Sequence, residues 1–291
     1  MIRIIKYVFG AIAFLAMMSG CMKTIVNPSK NITTSAIRLY RIGMSTVVNN
    51  MTQTLDGGYV VCGDVALDTS GKHYAFLMKT DSKGNQLWQK EYALTSQLLN
   101  VRQTSDGGYI AVGTASSTVN SSTTGTFYNQ AYLLKTDANG NTQWQNTFGD
   151  TSDCGFWDVS ETPDHGFVAA GQGNFASTVY KGSFNLQMYA VKTDQNGKML
   201  WQNTYQTSRF VGAFSNICNL PGNIICLSGI VDQAAVAGQT GYYYPTNVLI
   251  DQKGEPACLA GIYQHGISQF CYRKYFAQFK RYFIRFWCIR N

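Results

Sequence analysis

Between Leu98 and Phe148 the apolar and polar positions fall into four short runs: Leu98–Thr104, Tyr109–Ala115, Ala131–Asp137 and Thr142–Phe148. The runs are rich in Val, Ile, Tyr, Phe and Thr, the side chains that suit a pleated surface. Asp106-Gly107-Gly108 separates the first two and reads as a hairpin turn, because glycine enters positive φ without steric cost. Asp137-x-x-Gly140-Asn141 separates the last two in the same way. No stretch beyond the N-terminus sustains a helical apolar period.

The four-run pattern recurs. Asp81, Asp137, Asp194 and Asp251 stand 56, 57 and 57 residues apart, and Trp88, Trp144 and Trp201 stand 56 and 57 apart. A second motif travels with them: Gln53-Thr-Leu-Asp56-Gly57-Gly58-Tyr59, Gln103-Thr-Ser-Asp106-Gly107-Gly108-Tyr109 and Glu161-Thr-Pro-Asp164-His165-Gly166-Phe167. A fourth copy is worn, at Asn219-Leu-Pro-Gly222-Asn223-Ile224, and it loses the tryptophan that should follow Asp251. A fixed period of this size marks stacked supersecondary units. Four antiparallel strands per period predict an all-β fold, a β-propeller of four-stranded blades. Three blades are complete and one is partial, so the ring is incomplete or its last blade irregular. Arg38–Gly43 is the candidate for a strand that closes it. The first and third connections of each blade are tight, whereas the second is long: 66–74, 116–130, 174–187 and 231–246. One face of the array therefore carries the variable loops, where binding residues concentrate.

The Thr-x-Asp-Gly-Gly-Tyr and Lys-Thr-Asp-x-x-Gly-Asn-x-x-Trp motifs resemble the repeats of bacterial cell-surface and secreted β-propeller proteins, many of them lipoproteins. The resemblance covers roughly residues 38–256 and implies architecture, not ligand. At a distance the third hairpin is also similar to the tryptophan-docking motif of quinoprotein-type propellers. Here two residues separate Asp137 from Gly140, one fewer than that motif has. It differs as well from an Asp-box, which has Asp-x-Gly. No quinone-binding or sialidase residues are carried over.

Residues 1–21 read as an export signal: Arg3 and Lys6 give a positive start, Tyr7 to Met18 an apolar run too short for a comfortable membrane span. Met18-Ser19-Gly20-Cys21 resembles a lipobox, which implies a lipid on Cys21, a tether over 22–35 and an address at the bacterial outer membrane or cell surface. The propeller repeats occupy 36–257. From 258 to 291 the chain turns basic and aromatic, with six Lys or Arg and no acidic residue in 259–291. That composition suits a helix lying on a membrane, but the phase breaks mid-blade and nothing resumes, which favours a shifted reading frame. The formal charge of +7 comes from 23 basic and 16 acidic residues. The two basic residues of 1–21 and the six of 259–291 account for it, leaving 15 against 16, or −1, over the repeats. Nucleic acid is therefore not an expected partner.

Candidate chemistry is thin. Of eight cysteines, Cys218 and Cys226 flank the fourth hairpin and could face each other across strands, or stand as buried thiols. His73, His165 and His265 are scattered and read as structural. The recurring aspartates of the third hairpin read as turn-stabilising acceptors rather than a calcium site, and the tryptophans as packing between blades. No catalytic residue, metal or cofactor is expected. What remains are loop aromatics among Ser, Thr, Asn and Gly, with Tyr128, Tyr180, Tyr242, Tyr243 and Tyr244 as the candidate ligand-binding residues. An aromatic face with a hydroxyl suits sugars or protein surfaces. The expectation is a lipid-anchored, non-enzymatic binding or scaffold protein that contacts a protein or glycan. The alternative is an enzyme, glycan-processing or quinoprotein-like.

Overall fold

The computed structural model describes residues 38–69, 72–118, 127–149, 153–176, 184–205, 210–233, 242–263 and 266–271. Cys21 and Tyr180 lie outside the described residues. All strands fall in the compact unit Ile42–Asn291.

Sixteen strands are described, in chain order. The first blade holds β1 (Ser45–Gln53), β2 (Tyr59–Ala66), β3 (His73–Thr80) and the first part of β4 (Gln86–Gln103). The 18-residue β4 then crosses over, and its second part pairs with β5 (Tyr109–Thr118) as the inner strand of blade 2. Blade 2 continues with β6 (Phe127–Thr136) and β7 (Thr142–Phe148). Blade 3 is β8 (Cys154–Glu161), β9 (Phe167–Ala176), β10 (Phe184–Thr193) and β11 (Met199–Tyr205). Blade 4 is β12 (Phe210–Leu220), β13 (Ile224–Gln233), β14 (Tyr242–Ile250) and β15 (Pro256–Tyr263), with β16 (Gly266–Cys271) added at its outer edge. Every pairing is antiparallel and sequential, so the fold is an all-β propeller of four-stranded blades, and the described residues form an incomplete ring of them.

The register repeats from blade to blade. Each inner strand carries a bulge three to five residues before its hairpin, at Val48/Asn50, Leu98/Asn100, Phe156/Asp158 and Phe214/Asn216. Three successive pairs of sheets bury apolar side chains between them. Blade 1 lends Val60, Cys62 and Leu77 to its seam with blade 2, which answers with Leu98, Tyr109 and Tyr132. The other face of blade 2, through Ile110, Val112 and Leu133, meets Phe156, Phe167 and Tyr189 of blade 3. Middle strands are thus covered on both faces, which is why Tyr109-Ile-Ala-Val112 reads as an unbroken apolar run. The outer strands β7 and β11 alternate, because one of their faces meets water.

Three expectations are corrected or refined. Arg38–Gly43 forms no strand. At Gly43 the chain crosses the end of β2, where a side chain would strike the Ala66 carbonyl. The second connections are shorter than the sequence suggests, because their ends pair: β5 runs on to Thr118 and β6 begins at Phe127. The boundary drawn at 257/258 falls inside β15, which pairs with β14 in the register of the other outer strands. Cys258 stands opposite Leu249 as Trp201 stands opposite Lys192.

Candidate functional site

Two devices recur and must be subtracted before anything unique can be seen. The first is in the opening hairpin. Asp56 accepts bonds from the Thr54 hydroxyl and the Gly58 N–H, and above all from the amine of Lys79, at 2.8 Å. The lysine of Lys-Thr-Asp is buried, and it reaches across its own blade to the aspartate of Asp-Gly-Gly. Lys135–Asp106 and Lys192–Asp164 repeat the pair at 2.8 and 2.9 Å. Each lysine side chain is at most 4% exposed, while each carboxylate is about half exposed (53–57%). Burial alone would raise the Asp106 and Asp164 carboxyls, but the lysine, threonine and glycine donors overcome it and hold both at about 2. The Lys79 bond leads the causes that hold Asp56 well below the usual carboxylate range. These carboxylates are anchors, not proton carriers at neutral pH.

The second device docks each blade on the next. Trp144 of blade 2 lies against Gly197 of blade 3, donates its indole N–H to the Gln195 carbonyl at 2.9 Å, and packs near the Phe167 ring. Trp201 repeats this on Gly254 and Gln252, and Trp88 lies against Gly140 and Tyr109. A side chain at any of the three glycines would collide with the indole. Asp81, Asp137, Asp194 and Asp251 accept the N–H groups of their own turns, as expected of turn-stabilising residues.

Charges that break the repeat are more informative. Asp158, fully buried on β8, accepts from five donors: Asn100 Nδ2, Arg102 Nε and Nη2, its neighbour Val159 N–H and the Ile217 N–H of β12. It ties the inner strands of three consecutive blades. The equivalent of Arg102 is Thr52, Ser160 or Cys218 in the other blades, and the equivalents of Asp158 are asparagines. The sequence reading missed this pair. Its signal was two opposite charges, each alone at its repeat position, one blade apart.

A second cluster sits on the tight-turn face. Glu161 accepts the Ser105 N–H and hydroxyl and lies 3.2 Å from His165 Nδ1, and Ser105 Oγ lies 3.3 Å from the same nitrogen. His165 occupies the left-handed position (φ 61°) that is glycine in the first two blades. All three groups meet at one ring nitrogen. A proton relay would need the serine on one nitrogen and the carboxylate on the other, so the geometry is that of a latch between blades. His73 is likewise structural, 2.8 Å from Asp64.

Two concavities open near these residues. One, of about 620 Å³, runs between the inner strands of blades 1 and 2 and includes Asn50, Gln53, Leu55, Asn100 and Arg102. The other, of about 840 Å³, lies between blades 2 and 3 around Asp106, Trp144, Glu161 and His165.

The expected ligand residues fall elsewhere. Tyr128 lies in β6 opposite Ser117, and Tyr242, Tyr243 and Tyr244 lie in β14 opposite Gln233, Asp232 and Val231. These four are described by their backbone alone. They stand on hairpin stems rather than at loop tips, since tyrosine favours strand pairing. Cys218 and Cys226 do face each other across β12 and β13, as free thiols; Cys218 is exposed rather than buried. Burial pushes the Cys62 thiol up to about 12, which removes it as a nucleophile. Among the described residues no cluster of three or more His, Cys, Asp or Glu could hold a metal ion.

No protein-family model matches this chain, and no curated protein proves similar to it.

Proposed function

We infer that the chain is a lipid-anchored binding or scaffold module of the bacterial cell envelope, non-enzymatic, which contacts a protein or glycan through the long-loop face of its propeller. The observation that carries this reading is the length of the second hairpins. In blade 1 the hairpin ends flush with its neighbours: Ala66 pairs with both Ser45 and His73. In blade 2 the inner strand stops opposite Ala115 and the outer strand stops opposite Ala131, yet β5 and β6 remain paired through Thr118 and Phe127. In blade 3 the pairs Asn174–Leu186, Phe175–Asn185 and Ala176–Phe184 likewise outrun both flanking strands. Two neighbouring two-stranded ribbons thus project from one face, each built on aromatic and small polar residues. Isolated ribbons are marginal in water and gain most from a partner laid against them. The carboxylates of the described body support a binding role over catalysis, because the recurring ones are engaged in turns and lysine pairs.

The test uses a glycan array and an envelope-protein pull-down on wild type and on a variant with Tyr128, Tyr180 and Tyr243 all changed to Ala. A ligand held by this face loses at least tenfold in affinity when several aromatic anchors go, each worth about 2 kcal/mol. A variant that melts like wild type and keeps full binding overturns the assignment. Mass spectrometry of the mature N-terminus checks the anchor: an acylated Cys21 is expected.

A further inference from the structure

We propose that the groove between the inner strands of blades 1 and 2 is a second binding site, separate from the loop face, and that it takes a neutral sugar unit through Arg102.

Its floor is built from inside the molecule. The Arg102 guanidinium is fixed by three bonds to Asp158, of 2.7 to 3.1 Å, which use Nε and Nη2. Asp158 is itself immobilised by the backbone N–H groups of Val159 and Ile217 and by Asn100. Among the described residues no partner takes Nη1, and the arginine side chain is 41% exposed toward the groove it lines. The groove thus presents guanidinium donors that stay oriented when empty, so binding loses little to ordering them.

The rest of the lining decides the ligand class. Gln53, Asn100 and Asn50 bring planar amides to the same groove, and Gln53 Oε1, Asn100 Oδ1 and the Asn50 amide have no partner among the described residues. A hydroxyl can accept from Arg102 and donate to an amide oxygen at once, and adjacent hydroxyls can repeat the exchange. Among the described residues the only charges at the floor are Arg102 and the carboxylate beneath it, which cancel. An anion therefore meets a guanidinium already compensated at 2.7 Å, and a cation meets the guanidinium face. A neutral polyhydroxyl ring suits the donors, the acceptors and the zero net charge together. Leu55, 90% exposed at the rim, offers apolar contact to the C–H face of such a ring. No other blade has this set, because the arginine occurs once in the repeat.

The test is saturation-transfer NMR, followed by titration calorimetry, on the full chain with glucose, galactose, mannose and N-acetylglucosamine, and with glucuronate and inorganic phosphate as anionic probes. At least one neutral hexose is expected to bind with millimolar affinity, ahead of both anions. Arg102→Lys keeps a cation for Asp158 but loses the fork, and is expected to weaken that binding about tenfold. Asn50→Ala, which touches no part of the buried network, is expected to weaken it with an unchanged melting temperature. The proposal falls if none of the four sugars binds at about 50 mM, if glucuronate or phosphate binds more tightly than every hexose, or if both folded variants bind as wild type does. The variant lacking Tyr128, Tyr180 and Tyr243 is expected to retain hexose binding at the groove. Its loss there places the sugar on the loop face instead and overturns the groove assignment while leaving the loop reading intact.

Discussion

In blade 2 the amine of Lys135 is buried beneath Asp106, and Gly108 leaves room for it. In blade 4 the strands pair in the same register, yet Leu249 holds the lysine's place, Gly222 the aspartate's and Ile224 the glycine's. The three changes are one change. A side chain at position 108 would lie 2.7 Å from the lysine amine and closer still to the Thr136 carbonyl. Once the amine and its aspartate are gone and the turn is rebuilt around Gly222, at φ 82°, an isoleucine fits. The face that each blade turns to its successor differs in the same sense. Ile110, Val112 and Leu133 of blade 2 are fully buried, whereas their equivalents in blade 4 are Cys226, Ser228 and Asn247, with Ser228 bonded to Asn247 at 2.6 Å. A repeat that receives a neighbour keeps an apolar face, whereas the capping repeats of stacked arrays carry a polar one. Blade 4 carries the chemistry of a cap.

That cap is held to the body partly by one buried carboxylate, and removing it gives the largest effect expected. Asp158→Ala leaves the Ile217 and Val159 N–H groups without their acceptor and frees Arg102. It is expected to cost about 3–5 kcal/mol in denaturant unfolding. Hydrogen exchange should show blade 4 opening before blades 1 to 3, since the lost acceptor served the Ile217 N–H. A uniform loss of protection across all four blades would mean that the cap is not a separable layer.

The lysine–aspartate pair gives the next largest effect and tests the comparison directly. Asp106→Ala strands a buried ammonium that keeps only the Thr136 carbonyl and Gln143. Since the lost carboxylate was half exposed, the expected cost is about 1–3 kcal/mol, below that of a fully buried pair. Lys135→Leu with Asp106→Gly brings two of the three blade 4 residues into blade 2, with Gly108 left in place. The double variant should be more stable than the two single losses summed, by about 1 kcal/mol or more; additivity within about 0.5 kcal/mol would break the claim that these residues act as a unit. The pH dependence has a fixed sign. The Asp106 and Asp164 carboxyls lie near 2 when folded, below their unfolded value of about 4, so their stabilisation is complete above about pH 4 and is lost as pH falls toward 2. The double variant should lose one share of that acid sensitivity.

The strands, hairpins and tryptophan phase were legible because period-two apolar runs and Asp-Gly turns are local signals, and 56- or 57-residue spacing multiplies them. Lys79, Lys135 and Lys192 were not read as buried, because their partners lie 23 to 29 residues away across a turn. Arg102 and Asp158 are further apart, in different sheets, and become partners only when blade stacking is known. The inner ends of the long loops were misjudged for a simpler reason: Ser, Thr and Asn look like loop, but β5 and β6 keep them paired as a ribbon.

The smallest effect separates conformational strain from a purpose for it. His165 sits at φ 61° where blade 2 has Gly107 at 83°. A left-handed residue other than glycine is strained by about 1–2 kcal/mol. His165→Gly removes that strain, while the added glycine gives back about 0.5–1 kcal/mol through the freedom of the unfolded chain. The contact with Glu161 is two-thirds exposed on the histidine side, so its loss should cost no more than about 0.5 kcal/mol. The balance favours glycine slightly, and a gain of about 0.5 kcal/mol or less is expected in thermal unfolding. If His165→Gly instead destabilises by more than about 1 kcal/mol, the Ser105–Glu161–His165 cluster is worth more than a surface contact. The seam between blades 2 and 3 would then be locked more firmly than the seam between blades 1 and 2, where Gln103 accepts only the Leu55 N–H, at 2.8 Å, and Gly107 stands in the histidine's place.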